Sequence, residues 1–553
     1  MKKFTPDIFY IFFFICNIFN SYILTYGLIH PNISNYSFNF STLIFSLIGN
    51  LGMTLLFYSL AITIFPTTKG RIIFLIIISF IFTLLCLGLA IYANIFSTFF
   101  SFTQLTSFNN PKQGSFFAYY AKYALSMIND WSQAVQLLPF FLLIIIAIFT
   151  DKDLEKIPSP VYKILLFTFS LIFLIAPIIK LNSDRKKTIY EYNLNALYGA
   201  NNVGLYDYYL YDFYNYLTRD DYNLTEQEEQ EIQSFLAYYE QPEYINPIDN
   251  KTYSVENEYT GKASGKNLLF IQLEAFNNFL INDWHNAHLI YHLNKLANNG
   301  KYLNNFYSSA GIGNTSDAEF SALTGLYGNG NDLTIFDYAG SNYETLAKDF
   351  KKKGYYTFSA HGNDGTFYHR NTEHLRTLGF DNHYDINAFR QNNEELPIIH
   401  SYLDDMYFLE HLIDFMPEEK FFGYAITVTS HSPYVPTSEI EKHNFEGLTN
   451  LANNYLDFCM YVDEAIGNFI QKLEDANKLD DTILVFYGDH TSSLFKKDIE
   501  SIFKNTYDDV SYRRMMQSVP LIIYNTDLFS PEVNTNVHGT VDLYRSFANL
   551  FDL

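Results

Sequence analysis

The first third of this chain is almost unbroken hydrocarbon. Apolar stretches at about 7–29, 40–65, 71–96, 131–150 and 161–181 are each near the length needed to cross a bilayer core, about 20 residues. Five such runs in series, separated by polar or charged breaks, predict a transmembrane domain of five helices over 1–181 rather than buried helices of a soluble core. The first run is too long for a cleaved leader, and no small-residue cleavage site follows it before the second.

Charge divides the chain at the same place. Residues 1–181 hold 10 of the 36 Lys and Arg but only 5 of the 59 Asp and Glu, so they carry +5 and the remainder carries -28, which sum to the net charge of -23. Lys2 and Lys3, Lys69 and Arg71, and Lys152, Lys156 and Lys163 fall on one side of the predicted spans, which the positive-inside bias makes cytoplasmic. Lys180, Arg185, Lys186 and Lys187 pull the other way, one loop against three. An odd number of crossings then puts everything after 181 outside the cell, as a multi-pass cell-membrane protein. Of Cys16, Cys86 and Cys459, only the last lies in the outer part, so that part has no internal disulfide framework. Nothing basic enough to follow nucleic acid is present in the acidic remainder.

Residues 182–265 read as a helical juxtamembrane linker. The tyrosines between Tyr190 and Tyr216 suit either a membrane–water boundary or a helix packed on a globular neighbour. Thr225 and Glu228 have capping-box spacing and predict a helix to about Tyr239. From 266 to 553 the pattern alternates. Strands are expected at 267–273, 355–360, 422–429, 482–487 and 520–524, and helices at 286–299, 342–353, 403–415 and 449–477. Such alternation predicts an α/β domain, a mostly parallel sheet flanked by helices.

Chemistry-bearing residues sit at the ends of these strands. Glu274 closes the run from Asn267, Asp489 and His490 close the run from Thr482, and His431 follows the run from Tyr424. Open α/β folds place their sites at such carboxyl ends. Thr315 lies in Gly311-Ile-Gly-Asn-Thr-Ser-Asp-Ala-Glu-Phe320, a glycine-rich turn running into a helix start. A hydroxyl beside carboxylates and imidazole is one way to hold a divalent cation and make an alkoxide nucleophile.

The set Leu273-Glu274, Thr315-Ser-Asp-Ala-Glu-Phe320, His361-Gly-Asn363 with Arg370, Thr429-Ser-His431 and Gly488-Asp-His490, preceded by five spans, resembles the lipoteichoic acid synthase family. These are membrane phosphoglycerol transferases with an extracellular sulfatase-like domain of the alkaline-phosphatase superfamily. The resemblance implies Thr315 as catalytic nucleophile and Glu274, Thr315, Asp489 and His490 as ligands of one divalent metal, usually Mn²⁺. It implies His361, Arg370 and His431 as substrate-binding residues. The implied reaction moves glycerophosphate from phosphatidylglycerol to a glycolipid or polyglycerophosphate acceptor through a phospho-threonine. Three positions depart from the family. Asn314 stands where lysine is common, Asn363 where aspartate is frequent, and Tyr368 where tryptophan is frequent. Those departures leave a phosphoethanolamine transferase, or a non-catalytic membrane-anchored relative, as alternative readings. A formylglycine sulfatase is a poorer match, since no Cys/Ser-x-Pro-x-Arg run occurs.

Overall fold

The computed structural model describes residues 3–25, 40–96, 99–102, 135–154, 158–185, 196–218, 224–239, 243–247, 250–254, 256–281, 289–311, 313–328, 334–337, 341–390, 395–400, 402–432 and 434–553. The chain divides into two compact units, Met1–Arg219 with Gly330–Asp332, and Asp220–Asn329 with Leu333–Leu553.

The first unit is built on long apolar helices, α1 (Pro6–Thr25), α2 (Phe40–Ile64), α3 (Thr68–Phe96), a shorter α4 (Leu138–Phe149) and α5 (Pro160–Arg185). Among the described residues four helices are long and apolar enough to cross a membrane. The fifth expected span appears as the apolar stretch Val135–Phe149, which opens with a 3-10 turn. At about 1.5 Å per residue it is shorter than a typical hydrocarbon core. Its expected start, 131–134, lies outside the described residues, as do 26–29 at the end of the first span.

Exposed aliphatic and aromatic side chains on these helices, such as Ile77, Ile148 and Ile172, are what a lipid-facing surface requires. Two buried amides between helices are paired. Asn17 donates to Ser79 Oγ at 2.9 Å, and Asn50 donates to Ser21 Oγ at 2.9 Å. The tyrosine-rich segment forms α6 (Ala196–Val203) and α7 (Leu205–Thr218), and both pack into the same core. Tyr206 is buried there, its hydroxyl donating to Asn17 O at 2.8 Å. That favours the packed-helix role for these rings over a purely interfacial one.

In the second unit the capping box at its start is formed: Thr225 N donates to Glu228, Glu228 N to Thr225 Oγ1, and the helix runs Glu226–Tyr239. The central sheet has eight strands, β1 (Asn267–Leu273), β2 (Lys301–Leu303), β3 (Tyr356–His361), β4 (Asn382–Tyr384), β5 (Phe421–Ile426), β6 (Thr482–Gly488), β7 (Leu521–Tyr524) and β8 (Glu532–Asn534), in the order 8-2-7-6-1-5-3-4. Only β7 runs antiparallel to its neighbours, pairing with β6 and β2. Every residue of β1, β5 and β6 is buried, the mark of a sheet covered on both faces. One face packs on the long helix Asn450–Asp475 and Asp405–Leu412, the other on Leu346–Lys352 and Asp542–Phe551. All five expected strands are present within two or three residues at each end. The expected helices are present as Tyr291–Asn299, Leu346–Lys352, Asp405–Leu412 and Asn450–Asp475; residues 286–288 of the first lie outside the described residues.

Candidate active site

Parallel register brings the carboxyl ends of four strands to one edge. Gly488 of β6 pairs with Leu273 of β1, so Asp489 and Glu274 emerge side by side. Ile426 of β5 pairs with His361 of β3. A Cβ at Gly488 would lie 2.2 Å from Phe276 O, so only glycine permits this crossing.

Thr315 begins α8 (Thr315–Thr324), and the turn before it is held by the next acidic residue. Asp317 accepts the Gly311 N–H at 3.2 Å and the Gly313 N–H at 3.0 Å, and a Cβ at Gly313 would meet its Oδ1 at 2.3 Å. Asn314 caps the helix at φ 44°, a conformation that costs most residues energy but asparagine less. Beneath the turn, Gln272 Nε2 donates to Thr315 O at 3.2 Å. Gln272 Oε1 in turn accepts from the hydroxyls of Tyr424 and Tyr487.

The Thr315 hydroxyl lies between a carboxylate and an imidazole. It donates to Glu274 Oε2 at 3.1 Å and is 3.3 Å from His490 Nε2. His490 Nδ1 donates to Thr491 O at 2.9 Å, so the nitrogen turned inward is Nε2. That atom is 3.3 Å from Glu274 Oε1 and 3.5 Å from Asp489 Oδ2. Those two carboxylate oxygens are buried and accept no hydrogen bond. Asp489 Oδ1 is occupied by the N–H groups of Ala275 and His490.

Burial, then the neighbouring Glu274 charge, pushes the Asp489 carboxyl above its ordinary range. Burial also opposes the Glu274 charge, but His490 holds that carboxyl low. Two bare carboxylate oxygens and an inward imidazole nitrogen, crowded at one point, fit a divalent cation: the ligand atoms of Glu274, Asp489 and His490 all lie within 4.8 Å of one another.

His361, Arg370 and His431 border the same edge. His361 is buried with Nδ1 3.0 Å from Ile426 O, so Nε2 is left as an acceptor; burial, then the charge of Arg370, drives its pKa down to about 3. His431 is half-buried, its Nδ1 2.5 Å from Ser432 O. The turn carrying it is tied by buried Asp405, which accepts the N–H groups of Val428 at 3.0 Å and Thr429 at 2.7 Å. Arg370 is 1% exposed and starts α9 (Arg370–Arg376), after Tyr368 and His369 at φ 53° and 54°.

Its fork does not lie open: Nε and Nη2 are bound by Glu319, and Nη1 is buried without a partner. Sequence reasoning gave no role to Glu319, Asp317, Gln272 or Asp405. For Glu319 a signal existed, its i,i+4 spacing from Thr315, but its partner on another helix is unreadable without the fold. Cys459 is buried within Asn450–Asp475.

Residues 266–553 match the Sulfatase family model, and residues 1–223 match the model of the lipoteichoic acid synthase N-terminal domain. The chain is 27% identical over 472 residues to a lipoteichoic acid synthase of Staphylococcus saprophyticus, covering 82% of this chain and 70% of that relative. It is 27% identical over 419 residues to lipoteichoic acid synthase 2 of Bacillus subtilis, covering 74% of this chain and 62% of that relative. Among solved structures it is similar to a lipoteichoic acid synthase of Listeria monocytogenes, with 27% identity, a TM-score of 0.48, and coverage of 54% of this chain and 74% of that one.

Proposed function

Given that this chain belongs to the lipoteichoic acid synthase family, and is therefore a phosphotransferase with a sulfatase-like domain, we propose that it releases diacylglycerol from phosphatidylglycerol and passes the glycerophosphate to a lipid-linked hydroxyl. The observation that carries this reading is the Thr315 hydroxyl between Glu274 Oε2 and His490 Nε2, next to two unpaired buried carboxylate oxygens.

Thr315 Oγ1 attacks phosphorus as its proton passes to Glu274 Oε2, to which it already donates, and the bond from phosphorus to the diacylglycerol oxygen breaks. His431, with Nδ1 already spent on Ser432 O, offers Nε2 to protonate that leaving oxygen. The acceptor hydroxyl then attacks the glycerophosphoryl-threonine, giving its proton back to His431 Nε2, and Thr315 leaves and recovers its proton from Glu274. Arg370 Nη1 supports charge on a phosphoryl oxygen. His361 Nε2 accepts from a head-group hydroxyl, since burial keeps the imidazole neutral.

Glu274, Asp489 and His490, with Thr315, would hold a divalent cation, which we assign as Mn²⁺ because imidazole among few oxygen ligands disfavours calcium. Such an ion lowers the pKa of a bound hydroxyl and draws charge from the phosphoryl oxygen. The catalytic part is expected outside the cell, where outer-leaflet lipids and a glycolipid or polymer acceptor are available.

The test is incubation of the full-length protein in liposomes with labelled phosphatidylglycerol and Mn²⁺. Diacylglycerol and a labelled glycerophosphate product are expected. Release of diacylglycerol from phosphatidylethanolamine but not from phosphatidylglycerol would replace the head group in this reading.

A further inference from the structure

Behind Arg370 runs a buried line of polar groups that the reaction itself does not use. Arg370 Nε lies 3.1 Å from both oxygens of Glu319, and Nη2 lies 2.5 Å from Oε1. Glu319 Oε2 also meets His374 Nε2 at 2.8 Å. His374 Nδ1 meets Ser359 Oγ at 2.9 Å, and Ser359 Oγ meets His383 Nδ1 at 2.8 Å. Parallel pairing of β3 and β4 sets Ser359 beside His383. His383 Nε2 is buried without a partner and ends the line.

One assignment of protons satisfies every link. A carboxylate accepts only, so His374 carries its proton on Nε2 and its Nδ1 accepts from Ser359. The Ser359 oxygen then accepts from His383 Nδ1–H, and the last nitrogen is a bare lone pair. Every donor in the line points toward Glu319.

The helical spacing explains why this pins the site. Thr315 and Glu319 are one turn apart on α8, and Arg370 and His374 are one turn apart on α9. Both residues of α9 grip the same carboxylate of α8. The distance from the threonine hydroxyl to the guanidinium is thereby fixed by two rigid helices rather than by a loop.

Resting on the reading of Arg370 as the phosphate-contacting arginine, we propose that Glu319 and His374 are positioning residues. They hold Nε and Nη2 of Arg370 so that the unpaired Nη1 alone meets a phosphoryl oxygen brought to Thr315. The arginine then acts as a single, aimed donor and not as a bidentate fork.

A double-mutant cycle on the full-length, Mn²⁺-loaded protein in liposomes tests this, with thermal melting and Mn²⁺ affinity followed for each variant. Glu319→Gln should lower kcat for diacylglycerol release by about 10²-fold, with a smaller change in KM and unchanged Mn²⁺ affinity. In an Arg370→Lys background the same substitution should change kcat by less than about threefold, because the group it positions is already gone. His374→Gln keeps an N–H for Glu319 and should stay within about threefold of wild type, whereas His374→Leu should lose about tenfold or more.

Independent, multiplying losses from Glu319→Gln and Arg370→Lys would overturn the proposal, as would equal damage from His374→Gln and His374→Leu. If Glu319→Gln does not fold, the His374→Leu and Arg370→Lys pair carries the same cycle. If the wild-type protein releases no diacylglycerol, the proposed function fails, and the cycle is read instead on affinity for sn-glycerol 1-phosphate. Coupling of the two positions there sustains the inference, and additivity removes it.

Discussion

Thr315, the nucleophile of the proposed reaction, is placed where three different groups can act on it. Its hydroxyl touches Glu274 and His490, and its carbonyl is held by Gln272. Thr315→Ala should therefore abolish diacylglycerol release, by several orders of magnitude, with the domain still folded; more than about a tenth of wild-type release would take Thr315 out of its role. Chelation should stop turnover and Mn²⁺ should restore it better than Ca²⁺. Glu274→Gln should weaken Mn²⁺ binding in a direct titration, since an amide brings no charge to the unpaired Oε1 position.

Asn314 poses a separate question, because the family resemblance implies lysine there. Asn314→Lys should alter phosphatidylglycerol turnover and leave Mn²⁺ affinity unchanged. It should also cost about 1 kcal/mol of stability, since φ at this position is positive. A shift in metal affinity without any effect on lipid turnover would move residue 314 into the metal shell.

At the scale of elements, the sheet edge does the assembling. Four parallel strands end together, and Asp317 and Asp405 each hold a turn that orients a site residue, Thr315 in one case and His431 in the other. The strands were legible because β1, β5 and β6 are buried on both faces and so read as continuous apolar runs. The short helix α9 was not, and α8 was read only as a helix start, because both are under three turns and their apolar periodicity is too brief to stand out.

Gln272 shows what such a strand conceals. It is a polar residue in an apolar run, and its fully buried side chain serves the turn at Thr315 and two tyrosines. Gln272→Leu should lower unfolding free energy by about 1–3 kcal/mol, measured by denaturant titration of the acidic unit. An unchanged midpoint would mean that the tyrosine pair satisfies itself.

For the whole molecule the relevant division is between an apolar helical unit and an acidic α/β unit, the boundary falling after Arg219. Tyrosine helices α6 and α7 belong to the core of the first unit, so the segment exposed to cleavage should start later than the apolar pattern alone suggests. Protease added to intact cells should cut after Arg219 and free the acidic unit, while an inner-face control stays whole. Protection of that unit alongside digestion of an outer-surface control would reverse the topology read from the basic loops.

Composition and order along the chain were enough to determine the two environments, the strand–helix alternation and the strand-end acids, because hydropathy and period are local properties of sequence. The family resemblance that the motifs carry implied Glu274, Thr315, Asp489 and His490 as a set. Tertiary structure alone decided that Arg370 is held by Glu319 and His374, and that Gln272 supports Thr315. It also decided which carboxylate oxygens are left bare. Those facts depend on contacts between residues 43 to 55 positions apart and on which lone pairs remain once every donor has been assigned. No local pattern encodes either, because a side chain's partner is set by the packing of separate elements and its protonation by burial.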